Sequence, residues 1–360
     1  MKALITAGGR GTRLRPITHT RNKHLIPIAN KPMIHYAIEA VVAVGIKEIG
    51  MVVNPETYEE LKASLGNGKP WGAKITYILQ EKPAGLAHAV KISEDFIKKE
   101  PFVFYLGDNV IAGGLDPFVK AFNENGADCH LLLSRVKEPE RFGVPELKNG
   151  KIIGIEEKPQ KPKSPYAVTG IYIYDPHIFE AVKAIRPSGR GELEISDANQ
   201  YLIENGFKVD YSEITGWWKD TGRPEDLLEA NRFALDQIIE SPDQAPPEGA
   251  VDAKSDLRGK VVLEKGAKVI HSQIRGPAII GEGTLIENSY IGPYTSIYYG
   301  CEIRNSELEY SVILERCKIT DIDVRIERSL LGREVELFRG KAKPRTHKFI
   351  IGDQSQIELS

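Results

Sequence analysis

The sequence is poor in cysteine: its 360 residues contain only three, Cys129, Cys301 and Cys317. None of them stands in a CxxC pair, and an odd number of cysteines does not close a disulfide framework. We therefore expect neither a zinc knuckle nor a disulfide-stapled secreted domain. A reducing compartment suits this composition.

Long hydrophobic runs and an excess of one charge are also absent. No stretch of about 18 apolar residues occurs, and the N-terminal run MKALITAGGR stops at glycines, unlike a signal peptide. The formal net charge is -2. We expect a cytoplasmic protein that binds neither a membrane nor a nucleic-acid polymer, although a local basic pocket could still hold a small anion.

What is present first is an alternation of strand-like and helix-like segments. Lys2 to Thr6 and Phe102 to Leu106 are short apolar runs typical of buried strands, and amphipathic segments separate them from further strands. This order predicts an α/β fold with an open, mostly parallel, doubly wound, Rossmann-like sheet over residues 1–240. A cluster of Pro, Gly and polar residues at 241–250 predicts a linker.

Beyond the linker the apolar period changes. Apolar residues stand six apart in Leu257, Leu263 and Val269, and the same spacing returns 17 residues later in Ile274, Ile280 and Ile286. It recurs at Ile291 and, after a blurred stretch between Ser311 and Arg328, in RSLLGREVEL and KFIIGDQSQI. Such a step predicts a left-handed parallel β-helix of hexapeptide type over residues 251–360.

The strand Lys2 to Thr6 runs directly into a glycine-rich loop. Glycines allow successive backbone amides to point inward around an anion, and a polyphosphate is the natural guest. The loop matches neither GxGxxG nor GxxxxGK[ST], and a plain connecting turn is the alternative interpretation. The candidate nucleotide-binding residues of this loop are Gly8, Gly9, Gly11, Thr12 and Arg13, with Lys23 as a second cation.

The loop GGRGTRLRP, with a lysine following in NKHLIP, resembles the sugar nucleotidyltransferases. Further motifs of that family stand as LGDN, EEKP, YAVTGIY, RGELEISD and WWKDTG, so the resemblance covers residues 1 to about 234. Within the family it is strongest to the long, two-domain thymidylyltransferase branch. The resemblance implies a transferase that joins a nucleoside triphosphate, dTTP or UTP, to a hexose 1-phosphate, glucose 1-phosphate in the first place.

The matched positions imply that Asp108 and Asp220 bind Mg²⁺. The residues agree, since Asp108 ends a buried apolar strand, where a carboxylate is costly without a cation or hydrogen bonds. Two carboxylates suffice for Mg²⁺, which fills its shell with water and phosphates. A turn-capping role is the alternative for either aspartate. Arg13 and Lys23 would hold the β- and γ-phosphates.

The resemblance also assigns the base and the sugar. It implies that Gln80 and Gly85 meet the pyrimidine edge, and that the sugar phosphate meets Gly143, Glu157, Lys158 and Val168, with Trp218 and Arg190 as further candidates. An exposed, solvated turn is the alternative for EEKP. Phe142 departs from the family pattern, because a tyrosine commonly precedes this Gly-Val, and Lys82 to Ala84 lack the usual acidic residue.

Three alternatives stay open on the sequence alone. The enzyme could be a uridylyltransferase, or it could be bifunctional, with an acyltransferase site in the β-helix. A site of that kind needs a histidine, and His271 and His347 are the candidates there. The third is a non-enzymatic nucleotide sensor, which the presence of Arg13, Asp108 and Asp220 disfavours. We expect a homo-oligomer, because β-helix ends stack readily.

Overall fold

The computed structural model describes residues 1–238, 249–340 and 347–359. The chain forms two compact units, which are described separately. The first unit comprises Met1–Arg10 and Met33–Asp220, and the second comprises Gly11–Pro32 and Thr221–Ser360. The segment Gly11–Pro32 thus belongs with the C-terminal part of the chain. Most of the predicted linker, residues 241–248, lies outside the described residues.

The strands up to residue 220 are β1 (Lys2–Thr6), β2 (Pro27–Ile28), β3 (Lys31–Pro32), β4 (Glu48–Val53), β5 (Lys74–Leu79), β6 (Phe102–Leu106), β7 (Asn109–Ile111), β8 (Cys129–Arg135), β9 (Gly143–Lys148), β10 (Lys151–Glu157), β11 (Tyr166–Tyr174), β12 (Val209–Glu213) and β13 (Trp218–Asp220). The helices are α1 (Met33–Ala43), α2 (Tyr58–Leu65), α3 (Leu86–Lys91), α4 (Glu94–Ile97), α5 (Asp116–Asn125), α6 (Ile178–Ala184), α7 (Ile195–Glu204) and α8 (Pro224–Asp236).

The first unit is built on one large sheet of order β10-β9-β11-β6-β1-β4-β5, in which β8 also pairs with β11, and β12 pairs with β8. Strands β6, β1, β4 and β5 are parallel, whereas β11 runs antiparallel to β6 and β8. The runs of β1 and β6 are almost wholly buried, as expected for parallel strands covered by helices on both faces. The predicted Rossmann-like fold is confirmed.

The strands of the second unit after α8 are β14 (Asp256–Arg258), β15 (Val261–Leu263), β16 (Lys268–Ile270), β17 (Gln273–Arg275), β18 (Ala278–Ile280), β19 (Leu285–Glu287), β20 (Tyr290–Ile291), β21 (Thr295–Ile297), β22 (Glu302–Arg304), β23 (Glu307–Glu309), β24 (Val312–Ile313), β25 (Lys318–Thr320), β26 (Ile326–Glu327), β27 (Leu330–Leu331) and β28 (Glu336–Phe338).

These short strands stack in register into three parallel sheets, β14-β17-β20-β23-β26, β15-β18-β21-β24-β27 and β16-β19-β22-β25-β28. The predicted six-residue step gives each coil one inward residue per sheet, and these residues stack from coil to coil. On one sheet Ile274 pairs with Ile291 and Ile291 with Leu308, and all three are fully buried. This is the arrangement of a left-handed parallel β-helix, and the prediction is confirmed. The blurred stretch is a longer corner between β25 and β26.

The segment Gly11–Pro32 is held to the β-helix by side chains. Arg21 forms an ion pair with Glu315, Nη1 to Oε2 2.9 Å, and the Glu315 side chain is 2% exposed. Asn30 donates to the Ile297 carbonyl at 2.9 Å. Asn231 of α8 accepts from the Ala29 amide at 2.9 Å and from the Ser296 hydroxyl at 2.7 Å. These contacts join loop, helix and β-helix into one unit.

A bilayer-spanning helix is not found in the parts of the chain that the structure describes, where every helix is too short or too polar.

Candidate active site

The first part of the glycine loop is fixed by an asparagine that the sequence analysis did not single out. Asn54 follows β4 and donates from Nδ2 to the Gly8 carbonyl at 2.7 Å, while its Oδ1 accepts from the Thr57 amide at 2.8 Å. A Cβ on Gly8 would lie 3.3 Å from the Asn54 backbone nitrogen. Gly8 and Gly9 lie just after the carboxyl end of β1, where open α/β sheets place their ligands. The contacts with Asn54 fix this part of the loop there.

The second part of the loop lies in the second unit and carries the cations. Gly11 has φ +62°, and a Cβ there would lie 2.9 Å from the Thr18 side chain and 3.0 Å from that of Lys23, so glycine is required. Thr12 and Arg13 then form a short 3-10 helix, Thr12–Leu14. Lys23 begins another at Lys23–Leu25 and is 6% exposed.

The Arg13 guanidinium lies directly over Gly222. A Cβ at Gly222 would be 2.5 Å from an Nη atom of Arg13, so a larger residue at this position of the KDTG motif would displace the guanidinium. Arg13 is otherwise exposed, which leaves its planar set of donors accessible to a phosphate. The sequence analysis identified the glycine loop and the KDTG motif, but it did not predict that Arg13 contacts Gly222.

The two predicted metal-binding aspartates lie at neighbouring strand ends. Strand β13 pairs antiparallel with β7, and Asp220 stands opposite Asn109, the residue after Asp108. Asp108 and Asp220 are both half-buried. Backbone pairing thus brings Asp220 opposite the residue that follows Asp108 in the chain. Two half-buried carboxylates with this placement fit a hard divalent cation, which favours oxygen ligands.

Asn109 connects Asp108 to Trp218, one of the sugar-site candidates. Its Nδ2 donates to Asp108 Oδ1 at 2.9 Å, and its Oδ1 accepts from Trp218 Nε1 at 2.8 Å and from the Gly170 amide at 3.3 Å. A Cβ on Gly170 would lie 2.6 Å from the Asn109 amide. Asn109 is 2% exposed and orients Asp108. The sequence alone does not indicate this role, because an Asp-Asn dipeptide is common in turns.

Gln80 and Gly85, the predicted base-binding residues, lie together. Gln80 Nε2 donates to the Gly85 carbonyl at 3.1 Å and to His88 Nδ1 at 3.0 Å. Burial, and then the nearby Lys91, lower the pKa of His88, so its neutral ring can accept this bond. A Cβ on Gly85 would lie 2.4 Å from the Leu193 carbonyl oxygen, so this turn tolerates only glycine. The Gln80 amide hydrogens are used, which leaves its oxygen to act as an acceptor.

Gly143, Glu157 and Val168 meet on three adjacent strands. Gly143 on β9 pairs with Glu157 on β10 and with Val168 on β11. Ser196 donates to Glu157 Oε2 at 2.7 Å, and a Cβ on Gly143 would lie 2.6 Å from that hydroxyl. Ser196 is a further residue that the sequence analysis missed.

The remaining sugar-site candidates border this cluster. Arg190 donates to Glu194 Oε2 at 2.9 Å and to Glu157 Oε1 at 3.4 Å, and Lys158 Nζ lies 3.3 Å from the same Glu157 oxygen. Trp218 is 8% exposed and meets the Phe142 ring edge-on, with centroids 5.6 Å apart. Two cations beside one carboxylate suit a sugar that carries a phosphate.

The two β-helix histidines have different surroundings. His271 stands at a coil corner with φ +47°, and its Nε2 is 3.2 Å from Asp252 Oδ2. His347 stacks on Phe349, with ring centroids 5.9 Å apart. A second active site in the β-helix remains a prediction.

Comparison with known proteins agrees with this geometry. The family model for nucleotidyl transferases matches residues 2–237. The chain belongs to the nucleotidyl transferase family. A curated Streptomyces griseus protein named glucose-1-phosphate thymidylyltransferase is 47% identical over 361 residues, which cover all of both chains.

Two solved structures are also similar. A Bacillus anthracis structure described as a glucose-1-phosphate thymidylyltransferase is 42% identical, has a TM-score of 0.63, and aligns with 67% of this chain and 98% of its own. A UDP-glucose pyrophosphorylase bound to UDP-glucose is 26% identical, has a TM-score of 0.59, and aligns with 66% of this chain and 99% of its own.

The chain is therefore a sugar-1-phosphate nucleotidyltransferase, an enzyme of nucleotide-sugar biosynthesis that uses a nucleotide and a sugar phosphate. Enzymes of this family are generally metal-dependent, in agreement with the paired aspartates. The expectation of a non-enzymatic relative is set aside.

Proposed function

We propose that this nucleotidyltransferase is a Mg²⁺-dependent glucose-1-phosphate thymidylyltransferase that converts dTTP and α-D-glucose 1-phosphate into dTDP-glucose and pyrophosphate. The observation that supports the mechanism is the pairing of β7 with β13, in which Asp220 stands opposite Asn109, the residue after Asp108. The nature of the substrates is supported by the full-length similarity to the Streptomyces griseus enzyme.

The reaction is an in-line displacement at phosphorus. An anionic phosphate oxygen of glucose 1-phosphate attacks the α-phosphorus of dTTP, and the bond from that phosphorus to the oxygen bridging the β-phosphate breaks. Pyrophosphate leaves with the electron pair of that bond. Because the nucleophile is already anionic, no general base is needed, and catalysis depends on positioning and charge neutralisation.

Asp108 and Asp220 would hold the metal, with Asn109 fixing the orientation of Asp108. A bound Mg²⁺ supplies charge neutralisation on the α-phosphate and the leaving group. Gly8, Gly9, Gly11 and Thr12 would present backbone amides to the triphosphate. Arg13 and Lys23 would neutralise the β- and γ-phosphates.

The base preference follows from the fixed orientation of Gln80. Its oxygen can accept the ring N–H of thymine or uracil, and the Gly85 amide can donate to the neighbouring carbonyl. Cytosine presents an unprotonated ring nitrogen at this position and would face the oxygen unfavourably. The turn therefore favours dTTP and UTP over CTP.

Glu157 would accept hydrogen bonds from glucose hydroxyls, while Lys158 and Arg190 would meet the sugar phosphate. Gly143 and Val168 would form the floor of the sugar site through their backbones. Trp218 would close one side of it.

The test is pyrophosphate release with each of dTTP, UTP, CTP and ATP against glucose, galactose and N-acetylglucosamine 1-phosphates. We expect the highest kcat/KM with dTTP and glucose 1-phosphate. A higher value with UTP would assign a uridylyltransferase, the second candidate, which the similarity to UDP-glucose pyrophosphorylase favours. Activity with CTP equal to that with dTTP would contradict the role of Gln80.

A further inference from the structure

The C-terminal segment 347–359 repeats the sequence of the last β-helix coil. In that coil, Leu331 and Leu337 are six apart and occupy the inward positions of β27 and β28. Ile351 and Ile357 are also six apart, and each follows a residue pattern like that around Leu331 and Leu337. The segment therefore has the apolar pattern of one more coil.

The segment also has the backbone of a coil corner. Gln354 has φ +65°, and the residues at the same position of the two preceding corners, Glu334 and Arg316, have φ +58° and +56°. The Ser355 amide donates to the Gly352 carbonyl at 3.4 Å, as the Thr284 amide donates to the Gly281 carbonyl at 3.2 Å. A left-handed glutamine is costly for an ordinary loop, so this corner is a specific feature.

Although the corner is formed, residues 347–359 contain no strand. Their apolar side chains are exposed: Ile350 by 90%, Ile351 by 59% and Ile357 by 47%. The equivalent inward residues of earlier coils, such as Ile297 and Ile303, are fully buried. The segment thus has the shape and the pattern of a coil but lacks the neighbouring coil that would bury it.

The last coil of the β-helix has open strand edges to which a further coil could add. Strands β26, β27 and β28 stand at the ends of their three sheets, so each leaves one backbone edge uncovered in the described residues. Leu337 is 38% exposed and Phe338 67% exposed, although Ile319, which pairs with Leu337 on the inner side, is fully buried. Open edges of this kind pair readily with another strand.

The two surfaces match in polarity as well. In coil register Gln354 and Gln356 would lie next to Glu334 and Glu336, where neutral amides avoid like-charge repulsion and can donate to the carboxylates. Each of these glutamates is already paired on its other side, with Arg316 and Lys318.

We propose that the segment 347–359 of one chain adds as a further coil to β26, β27 and β28 of a second copy of this chain, in a reciprocal exchange. If the segment added to its own chain, it would form the next coil with strands like those before it. In the structure, however, residues 347–359 form no strand with β26, β27 or β28. Ile351 follows Leu331 by 20 residues, whereas Ile280, Ile297, Ile313 and Leu331 follow one another at intervals of 16 to 18. The longer connection allows the segment to reach another molecule.

Cross-linking of the full chain distinguishes the two destinations. Exposed Glu336 and Gln356 would be neighbours in the added coil, and the native cysteines are buried. A mixture of a Glu336→Cys protein and a Gln356→Cys protein, treated with a short bismaleimide, should give a covalent dimer that contains one chain of each. The double variant treated alone should give a dimer as well. A cross-link only within single chains of the double variant, or none at all, would overturn the proposal.

A matched pair of substitutions tests whether the coil drives the association. Ile357→Asp places a charge at an inward position and should weaken self-association on the order of 100-fold in sedimentation equilibrium, because a buried unpaired charge is strongly unfavourable. Gln356→Lys places a charge at the adjacent outward position, where it would face Glu336 favourably, and should leave the association within about threefold. Equal effects of both variants, or a mixed cross-link that Ile357→Asp does not reduce, would also overturn the proposal.

Discussion

The two units position their functional side chains in different ways. In the first unit, Asp108, Asp220, Gly143 and Glu157 lie on or beside strands, so backbone pairing sets their places. In the second unit, Arg13 and Lys23 lie on a loop whose surroundings are held by side chains, among them the Arg21–Glu315 ion pair. The carboxylates thus depend on the sheet, and the cations depend on the β-helix. If Arg13 and Lys23 bind the triphosphate as proposed, the β-helix should influence substrate binding through the loop that it holds.

The largest effect is expected from the carboxylate side. Asp220→Asn keeps the shape of the side chain but removes a charge that the metal needs, so kcat should fall about 10³-fold. Pyrophosphate release at saturating dTTP and glucose 1-phosphate measures it. Asp95→Asn, at an exposed position of α4, is the matched control and should retain full activity. A kcat above a tenth of the wild-type value would remove Asp220 from the mechanism.

Next comes the cation side. Arg13→Ala removes one preorganised charge donor and should lower kcat about 10²-fold. Arg10→Ala, in the same loop, loses only an exposed ion pair with Glu56 and should stay within about threefold of wild type. If the two arginine variants had the same kcat, Arg13 would have no special role in catalysis.

The dependence of the cations on the β-helix is tested by Glu315→Gln. Arg21 would lose its counter-charge in a mostly buried place, so the free energy of unfolding should fall by about 2–4 kcal/mol. KM for dTTP should rise several-fold with kcat nearly unchanged, because Lys23 follows Arg21 by two residues. Glu334→Gln, which breaks an exposed ion pair with Arg316, is the control for both measurements. A loss of stability without a change in KM would show that the β-helix does not influence dTTP binding.

The smallest effect concerns a surface cluster of the first unit. His177 Nδ1 lies 2.7 Å from Asp175 and 3.2 Å from Asp128. Its hydrogen bond to Asp175 raises the pKa of His177 above the ordinary value. The stabilisation is therefore complete below about pH 6.5 and is lost as the pH rises through the pKa in the folded protein.

Compared with His177→Gln, the wild type should be more stable by a few tenths of a kcal/mol at pH 5.5, because the pair is largely solvated. The two proteins should converge at alkaline pH. Urea denaturation at several pH values measures the difference, and a gap that widened with pH would contradict the assigned sign.

Much of the fold was predictable where one pattern dominates. Strands β1 and β6 have the predicted ends, because their apolar runs are continuous. The apolar pattern from Gly85 to Lys98 suggests one continuous helix, but the chain forms two helices there, α3 and α4, with a break at Ile92 and Ser93. There the buried Ser93 hydroxyl donates to the Ala89 carbonyl at 2.7 Å, a local competition that periodicity does not report.

The site shows the same division. Motifs identified the charged residues and the glycines of the site. They assigned no role to four polar residues, Asn54, Asn109, Ser196 and His88. Each of these orients another group through one or two hydrogen bonds. Their types are common at strand ends and in helices, and the groups that they orient stand 8 to 46 residues away or, for Asn109, next in the chain. Only the folded backbone selects them.

The sequence by itself determined the sheet, the β-helix and the chemical types that the family requires, because these follow from apolar period and short motifs. Tertiary structure alone decided that Asp220 stands beside Asn109, that Arg13 covers Gly222, and that Gly11–Pro32 belongs with the β-helix. The physical reason is that these relations arise from strand register and close packing between distant segments, whereas the patterns in the sequence are local.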